Sequence, residues 1–154
     1  MKLLGTAHSW ADKAHLGEVG LKEGAIIRST GSAPGLVVCG PYTPITPGRY
    51  RVQIDIAIGK RLRPMRFKDW IRGPAKCKIV AGDQILAKRN KLHHGTSELL
   101  FTCAKEQVGS FKSALEVKIW TTGAHEVEIR NIETHRIIDD GVESKGDKCT
   151  ATAS

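Results

Sequence analysis

Arg49-Tyr50-Arg51-Val52-Gln53-Ile54-Asp55-Ile56-Ala57-Ile58 is the stretch that decides the fold class. Tyr50, Val52, Ile54, Ile56 and Ile58 alternate with Arg49, Arg51, Gln53, Asp55 and Ala57. An extended chain points successive side chains to opposite faces, so this period of two gives one apolar face and one mostly polar face. A helix would scatter the same apolar positions around its circumference. The stretch is therefore a half-buried strand of an antiparallel sheet.

Working outward, the same alternation returns at Leu115, Val117 and Ile119, set against Glu116, Lys118 and Trp120. Val127 and Ile129 alternate with Glu126, Glu128 and Arg130, and the run continues to Ile138 after a turn at Thr121 to Ala124. Shorter strands are expected at Ala25 to Thr30, Leu36 to Cys39, Cys77 to Val80, Ile85 to Lys88 and Glu98 to Cys103. Gly, Pro, Ser and Asp clusters punctuate them, and Gly82-Asp83 suits a hairpin turn. Eight or nine short strands without a long amphipathic helix indicate an all-β antiparallel sandwich or barrel. Residues 1–23 read as an N-terminal lead-in, partly helical around Trp10 to Leu16. Residues 24–138 form the sandwich domain, and residues 139–154, polar and small, read as a disordered tail.

Composition bounds the function. Hydrophobic residues at 40% suffice for a core, so wholesale disorder is excluded. No apolar run approaches the roughly 18 residues that a membrane helix requires, so no membrane partner is expected. The start of the chain lacks the apolar stretch of a secretory signal. The expected location is the cytoplasm, or outside by a signal-independent route, unless the chain is a fragment. Cys39, Cys77, Cys103 and Cys149 are widely spread without a C-x-x-C pair, which suits core thiols better than zinc.

The net charge of +8 resides in one segment. Eleven basic residues lie between Lys60 and Lys91 against two acids, Asp69 and Asp83, while the remainder of the chain is nearly neutral. Such a patch concentrates anionic partners, or merely keeps a loop solvated. The segment reads as a long excursion, interrupted by Pro64, Gly73 and Pro74, with a short strand around Met65 to Phe67.

Gly40-Pro41-Tyr42 followed by Pro47-Gly48-Arg49-Tyr50-Arg51-Val52 resembles the segment leading into the central strand of jelly-roll domains similar to carbohydrate-binding modules. Leu115 to Gly123, then Val127 and Ile129, is similar to the closing hairpin of those domains. The resemblance spans roughly residues 24–138. It implies a jelly-roll sandwich first, and a lectin-like role accessory to bacterial glycan metabolism second. Such domains often hold a structural calcium ion with a carboxylate pair on the first strand, which this chain lacks. Glu18, Glu23, Asp139 and Asp140 could substitute, but acids near termini are usually just solvated. No metal and no cofactor is expected.

Nor is catalysis. Glycan hydrolysis requires two carboxylates at a set distance, one with a raised pKa. Asp55, Glu116, Glu126 and Glu128 all fall on polar strand faces, and nothing local marks a pair. There is no G-x-S-x-G elbow. His93-His94 would point to opposite faces and suits a polar turn better than a metal site.

The candidate binding residues are Trp120, Lys118, Glu116, Arg51, Gln53, Arg49 and Trp70. Trp120 shares the phase of Glu116 and Lys118, where an outward indole could stack on a sugar ring, or else pack beneath the 60–76 excursion. Arg49, Arg51 and Gln53 share the polar phase of the central strand and could bond hydroxyls or carboxylates. Trp70 reads as a ligand contact at a loop tip or, more commonly, as the anchor of that loop. The expected partner is a glycan, an anionic one given the patch. Other polyanions such as nucleic acid are the rival, and self-association through an exposed sheet is a third reading. The sequence leaves the oligomeric state open.

Overall fold

A computed structural model describes residues 2–4, 10–40, 46–81, 84–103 and 115–137. The elements run β1 (Lys2–Leu4), α1 (Trp10–Lys13), β2 (His15–Leu16), β3 (Gly20–Glu23), β4 (Ile26–Ser29), β5 (Gly35–Cys39) and β6 (Gly48–Arg61). They continue with α2 (Phe67–Arg72), β7 (Ala75–Ala81), β8 (Gln84–Arg89), β9 (Gly95–Cys103), β10 (Leu115–Thr121) and β11 (His125–Ile137). The expected tail, the Gly82-Asp83 turn and the Pro41-Tyr42 part of the motif lie outside the described residues.

Two antiparallel sheets pack face to face as a jelly-roll sandwich. One has the order β3-β4-β11-β6-β9, with β1 pairing on β11 beyond the reach of β4. The other has the order β2-β5-β10-β7-β8. Every connection from β8 to β11 crosses between sheets, so sequence neighbours face one another across the core.

The alternation in the central stretch has its expected consequence. Tyr50, Val52, Ile54 and Ile56 are buried, as are Leu115, Val117 and Ile119 on the facing sheet. Fully burying each aliphatic contributes about 1.5–3 kcal/mol before entropy is charged against it. Tyr50 stacks on Phe101 at 5.5 Å between centroids, and its hydroxyl donates to the Thr46 carbonyl at 2.6 Å. That bond pins the turn preceding β6. Cys77 and Cys103 are buried, and desolvation pushes the Cys77 thiol up to about 11.

Two expectations change. Residues 10–23 are no lead-in: they supply α1, β2 and β3 to the sandwich. Trp10 is buried against β11 and donates its indole N–H to the Arg130 carbonyl at 3.0 Å. The chain can approach so closely because Gly17 and Gly20 lack side chains. A Cβ on Gly20 would stand 2.0 Å from the Val37 carbonyl oxygen. The strand expected around Met65 to Phe67 gives way to the short helix α2, begun when Asp69 accepts the Arg66 backbone N–H at 2.8 Å. Long-range pairing, unavailable to a local reading, decides the first; a cap three residues apart decides the second.

Candidate functional site

The outer face of the β2-β5-β10-β7-β8 sheet carries the chemistry. Because Leu115, Val117 and Ile119 point inward, Glu116, Lys118 and Trp120 point outward. β10 slips one register step against β5 between Ile119 and Trp120, so Trp120 sits opposite Leu36. Irregularities of this kind re-aim a side chain near a sheet's working face. The half-buried indole has the Lys76 ammonium 5.4 Å and the Lys78 ammonium 5.5 Å from its ring centroid, both within cation–π range.

The β6-to-β7 excursion stands beside this floor as a wall. Its anchor is Asp69, only 4% exposed. Arg63 donates to both carboxylate oxygens, at 2.6 and 3.0 Å, and also to the Thr122 carbonyl at 3.0 Å. One guanidinium thus ties the excursion to the turn after β10. Thr122 donates its backbone N–H to the Pro74 carbonyl at 3.1 Å. The turn itself depends on Gly123, at φ +85°, where a Cβ would lie 2.3 Å from the Ser32 carbonyl oxygen. Hydrogen bonding from Arg63, then from the Arg66 backbone, holds the Asp69 carboxyl far below the ordinary carboxylate range. It is ionised at any physiological pH and cannot serve as a general acid.

Between floor and wall lies a cleft of about 670 Å³. Arg63, Arg66, Lys68, Arg72 and Lys76 line it, and Asp69 is the one acid in the lining. Asn90, Thr121 and Thr122 add neutral polar groups, while Trp120 and Ile71 add apolar surface. Among the described residues, Lys68 and Arg72 have no carboxylate partner within ion-pairing distance. The cleft therefore presents an aromatic platform ringed by cations.

Beside the cleft the strand register lines up three lysines. Lys118 on β10 lies directly opposite Lys78 on β7, which lies directly opposite Lys88 on β8. Like charges directly opposed across strands are destabilising. A rung of three is a standing electrostatic cost that a bound anion would relieve.

The structure brings Trp120, Lys118 and Glu116 together on this face. Glu116 accepts the Cys39 thiol hydrogen rather than standing free. Arg49, Arg51 and Gln53 are elsewhere: they project from β6 on the outer face of the other sheet, with the whole core between. There Gln53 bonds Glu98 at 2.8 Å and Arg51 lies 3.5 Å from the same carboxylate. Period two says that two strands each have a polar face; it does not say that those faces belong to different sheets. Trp70 is not the anchor of the excursion, being 72% exposed and outside the cleft lining. Sequence reasoning missed Asp69 in that role, although one acid amid so many cations was a readable sign of a structural ion pair.

Of the carboxylates considered for calcium, Glu18 accepts the Leu36 backbone N–H at 2.9 Å and Glu23 pairs with Arg28 at 2.9 Å. Asp139 and Asp140 lie outside the described residues. His94 accepts the Ile58 backbone N–H through Nδ1 at 3.0 Å, which gives that ring a structural role. Among the described residues no helix is long and apolar enough to cross a membrane.

No family model matches the sequence, and no curated protein resembles it in sequence. Solved structures do resemble it in shape. A family 16 carbohydrate-binding module matches 79% of this chain and 83% of its own at 11% identity, with TM-score 0.48. The Stig cyclase Fisc from Fischerella sp. TAU, in complex with (3Z)-3-(1-methyl-2-pyrrolidinylidene)-3H-indole, matches 86% of this chain and 71% of its own, at 14% identity and TM-score 0.50. An apo-form cyclase from Fischerella sp. matches 86% of this chain and 69% of its own, at 15% identity and TM-score 0.47. The likeness extends to the fold alone.

Proposed function

We propose that this domain is a non-catalytic binder of an anionic glycan, held in the cleft over Trp120. The observation that carries the reading is the cleft's composition: a half-buried indole under the Lys76 ammonium in a cleft also lined by Lys68 and Arg72, with the single lining acid already neutralised by Arg63. A saccharide ring has an apolar C–H face that stacks on an indole, and its hydroxyls suit Asn90, Thr121 and Thr122. Carboxylate or sulfate substituents would meet the ammonium and guanidinium groups as charge-assisted hydrogen bonds. The non-catalytic reading draws support from Asp69, which its partners keep ionised, leaving no carboxyl of the cleft able to donate a proton.

Non-specific polyanion binding is the second reading, favoured by the lysine rung that extends beyond the cleft. A glycan array carrying single-stranded DNA and RNA spots, read at two salt concentrations, separates the two. Selective binding to acidic saccharides that persists at high salt and falls about a hundredfold in Trp120→Ala is the expected result. Signal on every polyanion, fading together as salt rises and indifferent to Trp120→Ala, would refute the glycan reading.

A further inference from the structure

Helix α2 exposes what a soluble domain ordinarily hides. Phe67 is 78% exposed, Trp70 72% and Ile71 57%. They stand at positions i, i+3 and i+4 and so share one face of the helix. The reason lies in Asp69. At about 100° per residue, Phe67 and Ile71 fall nearly opposite it. Once the Arg63 ion pair draws Asp69 inward, the helix must turn its apolar side out. The charge around the patch is of one sign. Arg66, just before the helix, and Lys68 and Arg72 on it are all exposed and flank the patch. From Lys60 through Gly82 the sequence has one acid, Asp69, and that one is buried in its ion pair with Arg63.

We infer that α2 docks this domain on an anionic lipid surface, with Phe67, Trp70 and Ile71 inserted at the headgroup boundary. Charge complementarity selects this occupant. Cations ringing an apolar tip suit anionic headgroups surrounding the inserted side chains. Trp is favoured at that depth because its ring is apolar and its N–H remains hydrated. Backbone bonds close both ends of the helix: Asp69 and Gly73 donate their N–H groups to the Arg66 and Asp69 carbonyls, both at 2.9 Å. Six residues are too few to fill a protein groove, whereas interfacial anchoring requires only a few side chains. The docking surface and the cleft share one wall, so a docked domain would hold the cleft at the membrane.

The test is co-sedimentation of the full chain with vesicles of phosphatidylcholine alone or containing phosphatidylserine. The expected result is binding to the anionic vesicles only, reduced about tenfold for each 1.4 kcal/mol of insertion lost in Phe67→Ser/Trp70→Ser. Exposed residues tolerate these changes, and an unchanged melting curve checks folding. Independently, Trp120→Phe leaves Trp70 as the exposed indole against a buried Trp10; its emission should shift to the blue and be quenched by brominated lipid. No binding to anionic vesicles, binding undiminished by the double variant, or an unquenched Trp70 would each overturn the inference. So would a concentration-dependent dimer that the double variant dissociates, because the patch would then belong to a second copy. Trp120→Ala, which should weaken saccharide binding about a hundredfold and spare vesicle binding, lets the two readings fail separately.

Discussion

Lys78→Glu should make the protein more stable while weakening its hold on anions. Lys78 is the middle of the rung, with Lys118 and Lys88 directly opposite on either side. Cross-strand Cβ atoms lie about 5 Å apart, and flexible ammonium groups can splay to roughly 6 Å. At that distance two unit charges in water repel by about 0.7 kcal/mol. A Debye length of about 10 Å at 0.1 M salt reduces each repulsion to about 0.4 kcal/mol. Reversing the central charge converts two repulsions into two attractions, a swing of about 1.5 kcal/mol. Against this stands the Lys78 contact with the Trp120 ring, about 0.5–1 kcal/mol at an exposed site. The net stabilisation is about 0.5–1 kcal/mol, or roughly 1–4 °C in Tm for a chain of this size. Thermal melts at about 0.1 M and about 1 M salt check it, since the Debye length falls to about 3 Å in the latter and the gain should vanish. Lys78→Gln, which removes repulsion without adding attraction, should show about half the electrostatic gain. A Lys78→Glu protein that melts below wild type at low salt, or whose gain ignores salt, would refute the reasoning. The rung would then not be an electrostatic cost retained for binding.

Asp69→Asn leaves Arg63 without its carboxylate, so its Tm should fall at neutral pH and the excursion should become more susceptible to proteolysis. Because the folded Asp69 carboxyl is held below its unfolded value, its contribution is complete above the ordinary carboxylate pKa of about 4 and is lost as pH falls below that. The Tm gap between wild type and Asp69→Asn should therefore be constant from pH 7 to about 5 and narrow only under about pH 4; a gap that narrows near neutrality would implicate another group. Gly20→Ala should destabilise by at least about 1–3 kcal/mol in urea unfolding, because its Cβ meets backbone that cannot yield; a neutral substitution would show that the β3 edge is loosely packed.

The sheets were legible because their signal is local. Alternation in Tyr50 to Ile58 and Leu115 to Trp120 records which side of a pleat is dry, and burying those faces leaves few alternatives to a sandwich. The outward pointing of Trp120 follows from the same arithmetic. Residues 10–23 were illegible as sandwich because short strands with exposed sides have no periodicity to read; Trp10 and Gly20 become meaningful only against Arg130 and Val37. The central-strand cations Arg49 and Arg51, with Gln53, looked like partners of Trp120 because a sequence does not say which of two sheets a strand joins.

By itself, then, the sequence determined that the chain is an all-β sandwich or barrel, that its positive charge is concentrated between Lys60 and Lys91, and that Trp120 shares the polar phase of its strand. Period two and composition are properties of neighbouring residues, and they survive without coordinates. Tertiary structure alone decided that Lys118, Lys78 and Lys88 form a rung, that Asp69 rather than Trp70 anchors the excursion, and that Phe67, Trp70 and Ile71 are turned to solvent. Each depends on register or on a contact between distant segments, such as Arg63 bridging Asp69 and Thr122, and the energy of those contacts exists only once the chain has closed on itself.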